Sequence, residues 1–182
     1  MAIEYSKYRW FFTSSNTLVI GGKSDSQNEE VVRLAKPNEV VLHTKSPGSP
    51  FCVIKEAIEE TEKDVKEAAV FCACFSQAWK KGSKQIEVHI FSKSQINKTK
   101  SMKTGTFEIK GSMKKIKAEP KLYLTFQEGK LRAVPFETDI AIIVPGKLKK
   151  EQAVEIISRK LEIAHEEVMS SLPADGIAIT WL

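Results

Sequence analysis

The segment between Thr61 and Lys80 is apolar on most sides of a helix, and this constrains the fold more than any other feature. Its apolar residues recur at helical spacing in two stripes rather than one. The first stripe comprises Val65, Ala68, Ala69, Cys72, Ser76 and Trp79, and the second comprises Phe71, Phe75 and Ala78. A helix with so little polar surface has to be covered by other elements. We therefore expect one long helix from Thr61 to Lys80 that packs on a sheet.

Runs of β-type residues before and after this helix predict the sheet. They are Arg9 to Thr13, Thr17 to Ile20, Glu39 to Thr44, Phe51 to Ile54, Gln85 to Ile90 and Thr106 to Lys110. The first two are joined by turn residues as in a hairpin, and the last two alternate between apolar and polar residues as half-buried strands do. A short helix is predicted between Ser26, a suitable cap, and Pro37. The sequence therefore predicts an α+β fold with a mainly antiparallel sheet covered by the long helix.

The sequence after Pro120 predicts a separate set of elements. They are a hairpin from Leu122 to Phe136, a strand from Ile140 to Val144 that Pro145 and Gly146 end, a helix from Lys149 to Leu172 and a strand from Gly176 to Trp181. The charge balance of this part is acidic. We predict two units, a domain of residues 1–118 and a small α/β annex of residues 119–182 whose role the sequence does not reveal.

Lysines concentrate between Ser76 and Lys121, where twelve lysines stand against three glutamates. This segment carries a net charge of +9 in a chain whose total is +5, so the other residues sum to −4. One strongly basic surface is the footprint expected for phosphate binding, although a lysine-coated surface without a ligand would show the same charge. The loop from Lys93 to Lys103 lies between two predicted strands and can present its lysines to a partner.

Composition excludes several classes of protein. With 42% hydrophobic and 28% charged residues the chain is typical of soluble globular proteins, and no apolar run approaches the roughly 20 residues that cross a bilayer. No signal-peptide core is found, so we expect a cytoplasmic protein. Cys52, Cys72 and Cys74 are odd in number and predict buried thiols rather than a disulfide framework. The three histidines lack zinc-site spacing, so we expect neither a metal nor another cofactor.

Few residues have the spacing of a catalytic or stacking site. His43 ends a predicted strand beside a Pro-Gly loop, where it can contact a phosphate or a base or act as a general acid and base; the alternative is a half-buried histidine bonded to backbone. Gly21-Gly22-Lys23-Ser24 lacks the first glycine of a phosphate-binding loop, and a Gly-x-Ser-x-Gly motif is absent. Trp10 and Trp79 lie on apolar runs and are expected in the core rather than as platforms for bases.

Short motifs between Tyr8 and Lys115 become specific when they are taken together and in order. They are Arg9-Trp10-Phe11, Gly21-Gly22-Lys23 with Asn28-Glu29, Val41-Leu42-His43, Gly48-Ser49-Pro50 leading to Val53-Ile54-Lys55, Ala68-Ala69, Ser76-x-Ala78-Trp79, Lys98, Thr104-Gly105-x-Phe107 and Gly111. This set resembles the NFACT RNA-binding domain family, NFACT-R, which is found at the carboxyl side of ribosome quality-control factors such as RqcH, NEMF and Rqc2.

The resemblance implies a non-catalytic RNA-binding protein linked to translation. The chain has no room for the amino-terminal NFACT domain, the helix-hairpin-helix region or the coiled coil of full-length members, so it is similar to the standalone archaeal members. Whether it supports carboxyl-terminal tailing of nascent chains is left open, and the last sixty residues are not covered by the resemblance.

We therefore predict that the chain binds structured RNA, either tRNA or ribosomal RNA, and through it the large ribosomal subunit. The predicted contacts are Lys23, His43, Lys55, Lys80, Lys81, Lys84, Lys93, Lys98, Lys100, Lys103, Lys110, Lys114 and Lys115. Two alternatives stay open, an RNA-processing hydrolase that uses His43 and a protein-interaction module whose contact lies in the annex. No membrane partner is expected, and homo-oligomerisation is left open.

Overall fold

The structure, a computed structural model, describes residues 4–56 and 61–182. Its strands are β1 (Arg9–Phe12), β2 (Leu18–Gly21), β3 (Val40–Thr44), β4 (Cys52–Ile54), β5 (Ile86–Ser92), β6 (Ile96–Asn97), β7 (Glu108–Ile109), β8 (Lys114–Ala118), β9 (Leu122–Gln127), β10 (Lys130–Val134), β11 (Ala141–Leu148) and β12 (Ile177–Trp181). Its helices are α1 (Asp25–Leu34), α2 (Glu62–Cys74), α3 (Gln77–Lys80), α4 (Lys150–Leu161) and α5 (His165–Ser171).

The strands form three sheets. Six antiparallel strands in the order β1-β2-β4-β3-β5-β8 make the largest, four in the order β10-β9-β11-β12 make the second, and β6 pairs with β7 in a small hairpin. The predicted α+β fold with antiparallel pairing is confirmed.

Helix α2 lies between the two larger sheets, as its two apolar stripes require. Ala68, Ala69 and Cys72 are fully buried and pack with the six-stranded sheet, while Cys74 belongs to the core of the four-stranded sheet. Small side chains at these positions let both sheets approach the helix closely. The two parts of the chain thus share α2, and their division at residues 118 and 119 stays a prediction.

The predicted single helix from Thr61 to Lys80 is wrong in one respect, because it breaks after Cys74. The Ser76 hydroxyl donates to the Ala73 carbonyl and accepts from the Ala78 N–H, so it ends one helix and caps the next. Trp79, on the short helix α3, is 1% exposed and lies in the core as expected.

Helix α1 and the β6–β7 hairpin lie on the opposite face of the six-stranded sheet. Buried residues from both strands and helix, including Trp10, Val31 and Phe51, form the core there. The helix begins at Asp25 with Ser24 as its cap, two residues before the cap predicted from sequence. Gly22 packs so closely on this helix that a Cβ atom would lie 2.2 Å from Asn28 Oδ1.

The part of the chain after residue 118 departs from prediction at two places. Strand β11 continues through Pro145 and Gly146 to Leu148 with an irregular register instead of ending. The predicted helix from Lys149 to Leu172 is two helices, since Glu162 adopts a left-handed conformation at φ 56°. Within the described ranges, every helix is too short or too polar to cross a membrane.

Candidate nucleic-acid interface

A cleft of about 390 Å³ opens on the α1 side of the six-stranded sheet. Its floor is formed by His43 and His89, which are direct partners on neighbouring strands β3 and β5. Its walls are the first turns of α1, the loop at Pro47 to Ser49 and the loop from Thr104 to Phe107. A cleft of this size, with mostly apolar walls and a few converging polar groups, is typical of small-ligand sites.

Aromatic rings line the cleft. The His43 ring lies 4.3 Å from the Phe51 ring at an angle of 33°, and the Phe107 ring meets the other edge of Phe51 at 4.9 Å and 72°. Phe91, which is 5% exposed, completes the apolar lining. Such stacked and edge-on rings offer flat surfaces on which a further planar group can pack.

His43 is a neutral hydrogen-bond acceptor in this cleft. Its Nδ1 lies 2.7 Å from the Thr44 carbonyl oxygen, which can only accept, so Nδ1 carries the proton and Nε2 is free to accept. Burial lowers the pKa of His43 below its ordinary value, and the bond to Thr44 offsets only part of this effect. At pH 7 His43 is therefore better suited to a base or ribose donor than to a phosphate, the two RNA contacts that the sequence left open being base and phosphate.

The wall from Lys98 to Phe107 is pinned to α1. Lys98 Nζ lies 2.5 Å from Glu29 Oε1 and also donates to the carbonyls of Lys103 and Thr106. The Gly105 N–H donates to the same Glu29 carboxylate at 2.9 Å. Lys98, predicted as an RNA contact, is thus occupied in holding this loop against α1.

Gly105 is required where the loop meets α1. Its φ of +77° lies in the left-handed region, and a Cβ atom would come within 2.8 Å of Asp25 Cβ. This contact and the Glu29 bonds hold the loop from Thr104 to Phe107 against helix α1.

A row of polar side chains extends from the cleft across the sheet to its edge. His43, His89 and Lys115 are successive partners on β3, β5 and β8 and share one face. His89 Nε2 donates to Glu87 at 2.9 Å, and Lys45 lies 3.9 Å from the same carboxylate. Because β8 ends the sheet, its lysines also discourage pairing with another strand.

The predicted contacts are not all brought to one surface. Lys100 and Lys103 are exposed on the pinned loop, and Lys115 is exposed on the same face as the cleft. Three more, Lys80, Lys81 and Lys84, are exposed at the end of α3, where Lys81 shares a shallow hollow with Lys45. The rest are Lys93, half-buried in a one-turn 3-10 helix, Lys110 and Lys114, exposed beyond the small hairpin, and Lys23, beside the start of α1.

Lys55 is a correction to the predicted set, because it is buried. It is 4% exposed, and its Nζ donates to Glu39 Oε2 at 2.6 Å and to the Leu34 carbonyl at 2.8 Å. Glu39 in turn accepts from the backbone N–H groups of Lys36 and Glu56. Lys55 therefore holds the sheet against the end of α1 and cannot reach a phosphate.

Sequence reasoning missed the aromatic rings and His89 as parts of the cleft. Phe51 and Phe107 were read as strand residues, and His89 as one of several polar residues on an alternating strand. The pairing of His43 with His89 depends on which strands are neighbours, which periodicity alone does not determine. The sequence does offer one signal for Phe107, because an apolar residue directly after Thr104-Gly105-Thr106 lies beside a turn.

Known proteins resemble this chain over its amino-terminal part. The family described as "NFACT protein RNA binding domain" matches residues 7–111. The archaeal Rqc2 homolog aRqcH of Methanocaldococcus jannaschii is 34% identical over 113 residues, which is 59% of this chain and 17% of that protein. The ribosome quality control complex subunit NEMF of Homo sapiens is 36% identical over 78 residues, 41% of this chain and 7% of that protein.

A solved structure shares the fold. The C-terminal part of the fibronectin/fibrinogen-binding protein from Streptococcus suis superimposes with a TM-score of 0.58 at 23% identity, over 66% of this chain and 48% of that one. The chain spans less than a fifth of the length of the two curated relatives. Because the family match extends from residue 7 to residue 111, more than half of the 182 residues, the chain belongs to the NFACT protein RNA-binding domain family.

Proposed function

We propose that this protein binds RNA in ribosome quality control, with an unpaired base in the aromatic cleft and the backbone on the surrounding lysines. The observation that carries the proposal is the cleft itself, in which aromatic rings stand beside one neutral acceptor, with Lys45 in the lining. Membership of an RNA-binding domain family and relatives named as ribosome quality control proteins support the setting.

The cleft suits a single base rather than a duplex. Proteins that recognise RNA by sequence or structure take hold of unstacked bases in loops and ends, and stack them on aromatic side chains. Here Phe107 and the His43–Phe51 pair provide the stacking surfaces, and His43 Nε2 provides an acceptor for an amino or hydroxyl group. The pinned loop keeps these surfaces in place before RNA arrives, which lowers the entropic cost of binding.

The lysines around the cleft suit the RNA backbone. Lys100, Lys103 and Lys115 are exposed, so their ammonium groups are available to phosphates. Phosphate contacts of this kind position an RNA without reading its sequence. We propose tRNA or ribosomal RNA as the ligand and the large ribosomal subunit as the larger partner, because these RNAs present unpaired bases beside structured helices.

The proposed role is non-catalytic. The alternative, an RNA hydrolase that uses His43, gains some support from His89 beside it, since a pair of imidazoles can act as base and acid. Yet His89 Nε2 is bonded to Glu87 and His43 Nδ1 to backbone. These bonds occupy one nitrogen of each ring. The other nitrogen can form a hydrogen bond to RNA as well as transfer a proton, so the histidine pair does not require a catalytic role.

Recovery of RNA from cells tests the proposal. Bound nucleic acid is captured on the tagged protein at low and at high salt and then sequenced, with Phe107→Leu as the test variant and Phe126→Ala as a control that removes an aromatic ring exposed on the second sheet. We expect tRNA or large-subunit RNA to be enriched at low salt and released at high salt. Losing one base stack costs about 1–3 kcal/mol, so Phe107→Leu should recover much less RNA than the control. Recovery of proteins without RNA would instead favour an interaction module.

A further inference from the structure

Four cationic side chains converge beside the cleft, where β1 meets the second sheet. Arg9 on β1 places its guanidinium over the Phe75 ring at 4.7 Å, and Arg132 on β10 places its own over Trp10 at 4.5 Å. Lys23 follows the Gly-Gly turn after β2, and Lys150 opens α4. These residues are far apart in the sequence. The packing of the two sheets brings them together.

The carboxylates near these charges, Glu167 for Arg132 and Glu151 and Asp175 for Lys150, act on them from beyond salt-bridge distance. None of the four forms an ion pair with a residue in the described part of the chain. Arg132 is 7% exposed and, within residues 4–56 and 61–182, donates to the Leu131 carbonyl and, at 3.4 Å, to Ser170 Oγ. Arg9 Nε is buried and has no hydrogen-bond acceptor among the described residues.

Burial and repulsion between its members lower the pKa values of the cluster. Burial lowers the pKa of Arg9 and of Arg132. Burial, followed by repulsion from both arginines, lowers the pKa of Lys23, and burial followed by repulsion from Arg9 lowers the pKa of Lys150 to about 8. Arg132 is buried, Arg9 and Lys150 are half-buried and Lys23 is exposed. An anion between Arg9 and Lys23 would relieve their mutual repulsion, so it would be bound favourably.

An open hollow reaches the cluster. It has a volume of about 220 Å³ and is lined by Arg9, Lys23, Gly22 and Gln77, with Asp25 as its one carboxylate among the described residues. Asp25, Asn28, Gly48 and Ser49 line both this hollow and the aromatic cleft, so the two are adjacent.

We infer that the hollow is a phosphate-binding site formed by Arg9 and Lys23, with Arg132 and Lys150 adding positive charge from the second sheet. The inference rests on the proposed function for the source of the phosphate, which is the nucleotide next to the base in the cleft. Guanidinium and ammonium groups supply charge-assisted hydrogen bonds to phosphate oxygens. The part after residue 118 thereby contributes to the RNA-binding surface.

Nuclear magnetic resonance of the full chain tests the site directly. The Arg9 Nε–H resonance is followed during titration with inorganic phosphate, which needs no RNA. Lys23→Met removes one charge from the hollow, and Lys63→Met, an exposed lysine in the first turn of α2, removes one charge elsewhere. We expect phosphate to shift the Arg9 Nε–H signal in the native chain and in Lys63→Met, and much less in Lys23→Met.

Titration with a short RNA, with and without a 5′-phosphate, identifies the source. An internal phosphodiester predicts equal binding of both RNAs, whereas a terminal phosphate predicts a preference for the phosphorylated one. In either case Lys23→Met should weaken RNA binding about tenfold and reduce the salt slope by about 0.7 to 0.9.

The two hypotheses fail in different ways. If RNA binds but phosphate leaves the Arg9 signal unmoved and Lys23→Met behaves like Lys63→Met, the phosphate site is refuted and the proposed function stands. If phosphate shifts the signal but no RNA binds, the site stands and the proposed function is refuted.

Discussion

The buried Lys55–Glu39 pair allows a test of whether Lys55 stabilises the fold rather than contacting RNA as the sequence predicted. Lys55→Met removes the ammonium that donates to Glu39 and to the Leu34 carbonyl, while Glu39 stays 6% exposed with only two backbone donors. Breaking a buried pair by removing one partner costs about 3–5 kcal/mol. For a chain of this length about 1 kcal/mol lowers the melting temperature by roughly 2–4 °C, so we expect a fall of roughly 6–20 °C.

Matched variants separate burial from charge. Lys66→Met removes an exposed lysine that pairs with Glu62 at 3.0 Å, and it should change stability by less than about 0.5 kcal/mol. In the double variant Lys55→Met with Glu39→Gln the uncompensated charge disappears and much of the stability should return, because the Gln oxygen still accepts a backbone N–H. Thermal unfolding by circular dichroism measures each change, and RNA affinity is measured where the protein is folded. Unchanged stability with weakened RNA binding in Lys55→Met would refute the structural role.

Three further predictions concern the cleft and the charge network. Glu29→Gln should release the Lys98 loop and speed hydrogen exchange at the Gly105 N–H, which an unchanged exchange rate would contradict. Burial alone would raise the pKa of Glu39, but hydrogen bonds from Lys55 and the backbone hold it below 4.5. The stability that ionised Glu39 contributes should persist above pH 4.5 and be lost as pH falls through its lower folded-state pKa. Acid unfolding of Glu39→Gln, compared with that of the native chain, measures this loss. His43→Ala should lower RNA affinity only in part, and RNA turnover abolished by this change would instead show an enzyme.

Local sequence patterns predicted those parts of the fold that depend on the residues of a single helix or hairpin. The two apolar stripes between Thr61 and Lys80 require cover on both sides, and the structure places α2 between two sheets. The hairpins at Arg9 to Ile20 and Leu122 to Phe136 follow from alternation and turn residues. Strand β8 was missed because its lysines mask the alternation, and pairing with β5 rather than sequence pattern holds it in the sheet.

The site was less predictable because it depends on contacts between distant segments. Nothing in the sequence separates Lys55, which is buried against Glu39, from the exposed Lys103. Lys98 has the same charge as its neighbours but faces a glutamate 69 residues earlier in the chain. Arg132 lies near Arg9 because the second sheet packs beside β1, where Gln127 bonds to both backbone groups of Phe12.

The most direct test of the central claim is the salt dependence of RNA binding by the purified chain. Fluorescence anisotropy with a labelled tRNA or ribosomal RNA fragment gives the affinity over a series of salt concentrations. If about five phosphates are held, the logarithm of the association constant should fall linearly against the logarithm of salt with a slope of about −3.5 to −4.5, and Lys100→Glu with Lys103→Glu should make this slope shallower. An absence of RNA binding at low salt, or an affinity that does not change with salt, would contradict the account.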